Sequence, residues 1–143
     1  MKKTIALLTA SILTFGGVSA YAAKDVTVML DGEKMEFDVN PFIEDDRTLV
    51  PMRAIFEAVG AQITWEEGER TVIALQKKDS SFNSIAIQID TEYAFVNSER
   101  KDLDVPARIV NDRTFVPLRF VMEELGADVT WDSDSYTVYI KTK

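Results

Sequence analysis

The chain contains no histidine and no cysteine, so carboxylates are the abundant side chains left to do acid–base chemistry. A Ser-His-Asp triad, a cysteine nucleophile, thiol redox chemistry and a zinc or copper site of the usual kind all need residues it lacks. Two carboxylates at the right separation can hydrolyse a glycosidic bond. Glu57 and Glu123 are the natural pair, because they hold equivalent places in two similar stretches. That pairing describes a small carboxylate-dependent hydrolase acting on glycans. The competing reading is structural. Each glutamate lies four residues after an arginine, Arg53 or Arg119, and on a helix that spacing brings the two charges together. Arg47 and Arg113, just ahead of each helix, are placed to reach the same glutamates. A structural Arg–Glu network in each copy is favoured. An active site made of duplicated residues needs a symmetric substrate or one degenerate copy, and neither copy has degenerated here. No catalytic, metal or cofactor-binding residue is assigned, and no cofactor is expected.

Trp65 and Trp131 are also equivalent, and each ends a strand-like stretch. An exposed tryptophan in a secreted protein offers a platform for stacking on sugar rings. The alternation Ile63-Trp65 and Val129-Trp131 instead puts both rings on the face of a core residue, where a large ring tolerates one wet edge. Core packing is the preferred role, with a ligand platform the alternative. Tyr93, Phe95, Tyr136 and Tyr139 are weaker candidates of the same kind. Asp132-Ser133-Asp134-Ser135 superficially resembles a calcium loop, but it lacks the central glycine and the closing bidentate glutamate. These residues read better as turn formers between two strands.

The elements that must position these residues are written twice. Residues 46–65 read DRTLVPMRAIFEAVGAQITW and residues 112–131 read DRTFVPLRFVMEELGADVTW, identical at eleven of twenty positions without a gap. Thr71-Val72 matches Thr137-Val138, and Glu33 and Asp38 match Glu99 and Asp104, all 66 residues apart. A repeat of this length is a supersecondary unit used twice. In the first copy, alternation over 26–30, the turn Asp31-Gly32 and its resumption at Met35 and Phe37 predict a hairpin. In the second, Tyr93 to Val96, a turn at Asn97-Ser98 and Leu103 do the same, with an extra strand ahead of them over 85–89. Thr48-Leu49-Val50 and Thr114-Phe115-Val116 follow, then Pro51 and Pro117, suited to a first helical turn. Met52, Ile55, Phe56, Val59 and Leu118, Val121, Met122, Leu125 keep helical spacing, and Gly60 and Gly126 end each helix. Two strands close each copy. The expected class is α+β, with two β-β-β-α-β-β units, over 26–76 and 84–142. Each has a helix of nine or ten residues on antiparallel strands. Lys77-Lys78-Asp79-Ser80-Ser81 is the expected link, and the two units are expected to pack as one pseudo-twofold domain, with independent lobes the alternative.

The first 22 residues stand outside that pattern. Lys2 and Lys3 precede an apolar stretch from Ile5 to Val18, and Ala20-Tyr21-Ala22 has the small-x-small form of a signal-peptidase site. Residues 1–22 are expected to be a cleaved signal peptide, leaving 23–143 as a protein without a membrane anchor, extracellular or wall-associated. A chain of that size buries a core without disulfides. The net charge is −8, and the loss of Lys2 and Lys3 (+2) takes the remainder to −10. That balance argues against nucleic acid and anionic lipid, which need clustered Lys and Arg.

The twice-written string D-R-T-x-V-P-x-R-x-x-x-E-x-x-G-A-x-x-T-W, followed by a T-V strand, resembles the copper amine oxidase N-terminal domain family, also called the stalk domain. The resemblance covers about residues 26–142. It implies an antiparallel sheet wrapped against a helix, and a non-catalytic appendage common in exported and cell-surface proteins of Gram-positive bacteria. It does not imply oxidase activity, which belongs to a separate domain with copper-ligating histidines and a modified tyrosine. No site residue is carried over from it. The resulting expectation is a secreted or surface interaction module that is not an enzyme, binding a cell-wall polysaccharide or another exported protein through an exposed sheet face or turns.

Overall fold

The computed structural model describes residues 25–143, so the expected signal peptide at 1–22 lies outside the described residues. Local turn chemistry sets the first strands. Asp31 and Gly32 both take positive φ, 49° and 87°, the backbone that a two-residue hairpin needs. They join β1 (Thr27–Leu30) to β2 (Glu33–Lys34). Asp45 and Asp46 turn in the same way between β3 (Phe42–Glu44) and β4 (Arg47–Pro51). Helix α1 (Met52–Ala58) follows directly, then β5 (Gln62–Glu66) and β6 (Thr71–Lys78). The later residues repeat this order after an added strand: β7 (Ser81–Gln88), β8 (Tyr93–Val96), β9 (Glu99–Asp102), β10 (Arg108–Val110), β11 (Arg113–Pro117), α2 (Leu118–Glu124), β12 (Asp128–Asp132) and β13 (Thr137–Lys141).

The α+β class holds, but the β-β-β-α-β-β layout needs correcting. Four strands precede α1 and five lie between β6 and α2. The omitted strands, β3 and β10, are three residues each. They are held by Asp-Asp and Asn-Asp turns rather than the glycine-bearing turns that advertise a hairpin. The expected link at 77–81 is part of a continuous antiparallel ladder, where Lys77 opposes Phe82 and Lys78 opposes Ser81. The boundaries 76 and 84 fall inside β6 and β7.

Each helix is seven residues long rather than nine or ten. Pro51 and Pro117 sit at the N-cap, one place before the first helical residue. At the other end the Ala61 N–H donates to the Phe56 carbonyl at 2.9 Å and the Gly60 N–H to that of Glu57 at 3.1 Å. Ala127 and Gly126 repeat this pair of bonds to Met122 and Glu123 at 2.9 and 3.0 Å. This double closure absorbs the last free carbonyls and needs a left-handed residue, supplied by Gly60 at φ 78° and Gly126 at φ 91°. It takes Val59 and Leu125 out of the helix.

Three sheets result, each drawing strands from both sides of residue 80. The central one runs β10-β11-β4-β3. At its middle Val116 opposes Val50, Pro117 opposes Leu49 and Phe115 opposes Pro51, so residues 66 apart exchange places across one ladder. The second runs β12-β13-β1-β2, with β13 parallel to β1 from Thr137↔Thr27 to Ile140↔Leu30. The third, β9-β8-β7-β6-β5, is antiparallel throughout, with β7 inserted between β6 and β8. The helices cross over as well: α1 packs on β11 and β5, and α2 on β4 and β12. Alternation along β4 and β11 sends Val50 and Val116 into the main core with Phe56, Ile55 and Met122. Leu49 and Phe115 point the other way, into a small second cluster with Val105. One main core therefore contains residues from both copies.

Candidate functional site

The interlacing creates two clefts from matching parts. One is lined by Arg47, Asp104, Arg119, Glu123 and Trp131 and encloses about 640 Å³. The other is lined by Arg113, Asp38, Arg53, Glu57 and Trp65 and encloses about 780 Å³. Each residue of the first set stands 66 positions from one of the second. In each cleft one arginine comes from one copy, while the helix pair and the tryptophan come from the other.

On α1, Arg53 meets Glu57 at 3.6 Å; on α2, Arg119 meets Glu123 at 3.0 Å. Arg119 also donates to the Val129 carbonyl at 2.9 Å, fastening α2 to β12. The expectation that Arg47 and Arg113 reach the glutamate of their own copy needs correcting. Arg47 stands at the start of β4, and its Nε donates to Asp104 at 2.9 Å, just beyond β9. Arg113 at the start of β11 donates from Nε and a terminal nitrogen to Asp38, beyond β2, at 3.0 and 2.6 Å. Each arginine thus binds the aspartate of the opposite copy and lines the cleft of the opposite helix. The Arg113 guanidinium holds the Asp38 carboxyl below its ordinary pKa, outweighing a small opposing effect of burial, and Asp38 in turn raises the arginine. Asp31 is lowered similarly, by the hydroxyl and N–H of Thr142.

Trp65 and Trp131 are half-buried at the edge of the main core. Both pack against it and both line a cleft, so the core and platform roles fall on the same rings. Trp65 donates its indole N–H to Glu67 at 2.8 Å. Trp131 meets the ring of Tyr136 edge-on, with centroids 5.3 Å apart. Asp132 accepts from the N–H groups of Asp134 and Ser135 at 3.0 and 3.4 Å, a side-chain turn of the Asx type. On the five-stranded sheet Leu75, Phe82 and Phe95 point away from the core at 38%, 60% and 43% exposure.

Glu57 and Glu123 line different clefts, so they do not flank one glycosidic bond as a catalytic pair must. Each is also exposed to solvent and beside an arginine of its own helix. Asp38 and Asp104 complete the frame of the two clefts, and the sequence alone assigned them no role. Their signal was present: both fall into the 66-residue spacing and match the two arginines in number.

A family model described as the copper amine oxidase N-terminal domain matches residues 29–140. A protein of Brevibacillus choshinensis named "Protease inhibitor" is 32% identical over 116 residues, covering 80% of this chain and 34% of that protein. The chain thus spans about a third of the length of the curated relative it matches.

Proposed function

Because the chain belongs to the copper amine oxidase N-terminal domain family, we propose that it is a non-catalytic module whose paired clefts bind another exported protein. The observation that carries this reading is the construction of the clefts. Each sets a half-buried tryptophan beside two arginines already fixed by carboxylates. Side chains ordered before binding lose little entropy when a partner docks, and buried aromatic rings supply much of the energy of protein interfaces. Each glutamate stands beside an arginine of its own helix, and the two line separate clefts. The name of the Brevibacillus relative supports a protein partner, and an exported protease is the first to try.

Immobilised protein is exposed to the proteins of a culture supernatant, and residual proteolysis is followed on a casein substrate. Retention of a defined protein is expected, lost in Trp65→Ala/Trp131→Ala and kept in Phe82→Ser, which alters the exposed sheet face instead. Retention by isolated cell walls, with no protein captured, replaces the protein partner with a wall polysaccharide. Export is part of the proposal. The secreted protein should begin at Ala23 or a neighbouring alanine by intact mass, and full-length mass in the medium overturns the cut.

A further inference from the structure

We infer that the Trp131 cleft recognises a lysine or arginine side chain of the partner polypeptide on an aromatic wall that the Trp65 cleft lacks. The inference rests on the clefts being binding sites. The two share one frame: Arg, Asp, Arg, Glu and Trp at positions 66 apart. They differ at positions that face the space inside. Phe120 stands in the first where Ala54 stands in the second, and Ser133 where Glu67 stands. Tyr136, which also lines the first, takes the place of Arg70. Within the clefts the frame is kept in both copies while these lining positions differ.

Those differences have direct chemical effects. Glu67 takes the indole N–H of Trp65 at 2.8 Å and sets a carboxylate against that ring. Ser133 does not do this for Trp131, whose indole N–H has no acceptor among the described residues and is open to a partner carbonyl. Trp131, with Tyr136 edge-on to it and Phe120 in the same lining, gives the first cleft an aromatic wall. Aromatic faces attract cations, Trp most strongly, and a basic side chain lays its methylene stem on apolar surface while its charge reaches the rim. The rim suits such a charge. Asp46, Asp102, Asp104 and Glu123 outnumber Arg47 and Arg119, an excess the other cleft shares through Glu36, Asp38, Glu57, Glu67 and Asp112, so the aromatic wall is what sets the two apart. Asp104 and Glu123 are used by those arginines, Asp102 has only exposed Arg100 at 3.9 Å, and Asp46 has no ion-pair partner among the described residues. The same molecule already stacks one cation on a ring, with the Arg100 guanidinium 4.0 Å from the centre of Tyr93. The net charge of −8 draws cationic partners and repels anionic ones.

The two tryptophans give two indole N–H signals in a proton–nitrogen spectrum, assignable with Trp65→Phe and Trp131→Phe. The probes are the peptide acetyl-Gly-Ala-Arg-Ala-Gly-amide and its citrulline analogue, which keeps the shape and lacks the charge. The arginine peptide should move the Trp131 signal saturably and leave Trp65 in place, with the citrulline peptide at least fivefold weaker. Phe120→Ala, which gives this cleft the residue that Ala54 supplies in the other, should weaken the shift severalfold while the spectrum stays dispersed. Asp46→Asn/Asp102→Asn should weaken it severalfold. Equal response to citrulline, no movement of Trp131 at the highest soluble peptide concentration, or a larger shift at Trp65 each overturns the inference. If these occur while the captured protein still binds, only the cation reading fails. If the protein also fails to bind, the cleft reading fails with it.

Discussion

At the scale of single residues, the arginines do two different jobs. Arg53 and Arg119 brace their own helices, whereas Arg47 and Arg113 tie one copy of the repeat to the other through Asp104 and Asp38. The Asp38–Arg113 bond makes a testable pH signature. A carboxyl whose pKa is lowered by folding favours the folded state above its ordinary value, near 4, and that advantage disappears as pH falls through the lowered folded value. Urea midpoints of the native protein and Asp38→Asn should therefore differ at pH 7 in favour of the native protein and converge in strong acid. A gap that stays constant with pH assigns the effect to something other than the ion pair. Pairs of this kind differ in how readily they are found. Arg53 and Glu57 sit four apart, and helical geometry alone brings them together. Arg47 and Asp104 lie 57 residues apart and Arg113 and Asp38 lie 75 apart, so only the strand order reveals them. The composite clefts were hidden for the same reason, although each residue that builds their frame carries the 66-residue spacing.

At the scale of elements, short pieces are made definite by their ends. A seven-residue helix is too short to persist alone, and its boundaries here come from a strand-terminal proline and a glycine closure. Gly60→Ala forces a left-handed backbone on a residue with Cβ, at a cost of roughly 1–2 kcal/mol, although no atom lies within 4 Å of the new methyl. Gly126→Ala should lose a similar amount. Its new methyl would also meet Lys78 Nζ at 3.1 Å, but the end of a lysine can move aside. Thermal melts that leave both variants at the native midpoint argue against the closure as a determinant of stability. The helices were legible because apolar residues keep helical spacing up to the glycine. Their length was overread because Val59 and Leu125 continue the apolar pattern after the backbone has left the helix. Strands β3 and β10 escaped notice because each shows a single alternation and its turn uses Asp or Asn at positive φ where glycine is the usual sign. The link at 77–81 looked like a connector because it is polar, yet a polar β-ladder tip has the same composition.

At the scale of the whole molecule, the two copies are legible and their interlacing is not. Nothing in an unaligned chain says that the first hairpin will join the last strand, because such pairing is decided by the burial of both helices at once. The consequence is cooperativity. Residues 25–80 alone lack β13 beside β1, β11 beside β4 and under α1, and β7 beside β6, so that fragment should show no cooperative melt. The full chain should show one transition with equal calorimetric and van't Hoff enthalpies. Two separable transitions overturn this. The parallel pairing of β1 with β13 has another consequence, for a chain held under tension. A pull entering at residue 25 and leaving at residue 143 draws the two strands along their length in opposite directions and loads every rung of their ladder together. A pull between Gly32 and Lys143 grips neighbouring ends of the same two strands and opens the rungs singly. Forced rupture is governed by the unfolding rate under load. Single-molecule stretching from the two ends should therefore need the larger force, and similar forces in both geometries deny the ladder that part. On this geometry, tension along the chain shears the β1–β13 ladder, whereas tension applied at the first turn peels it.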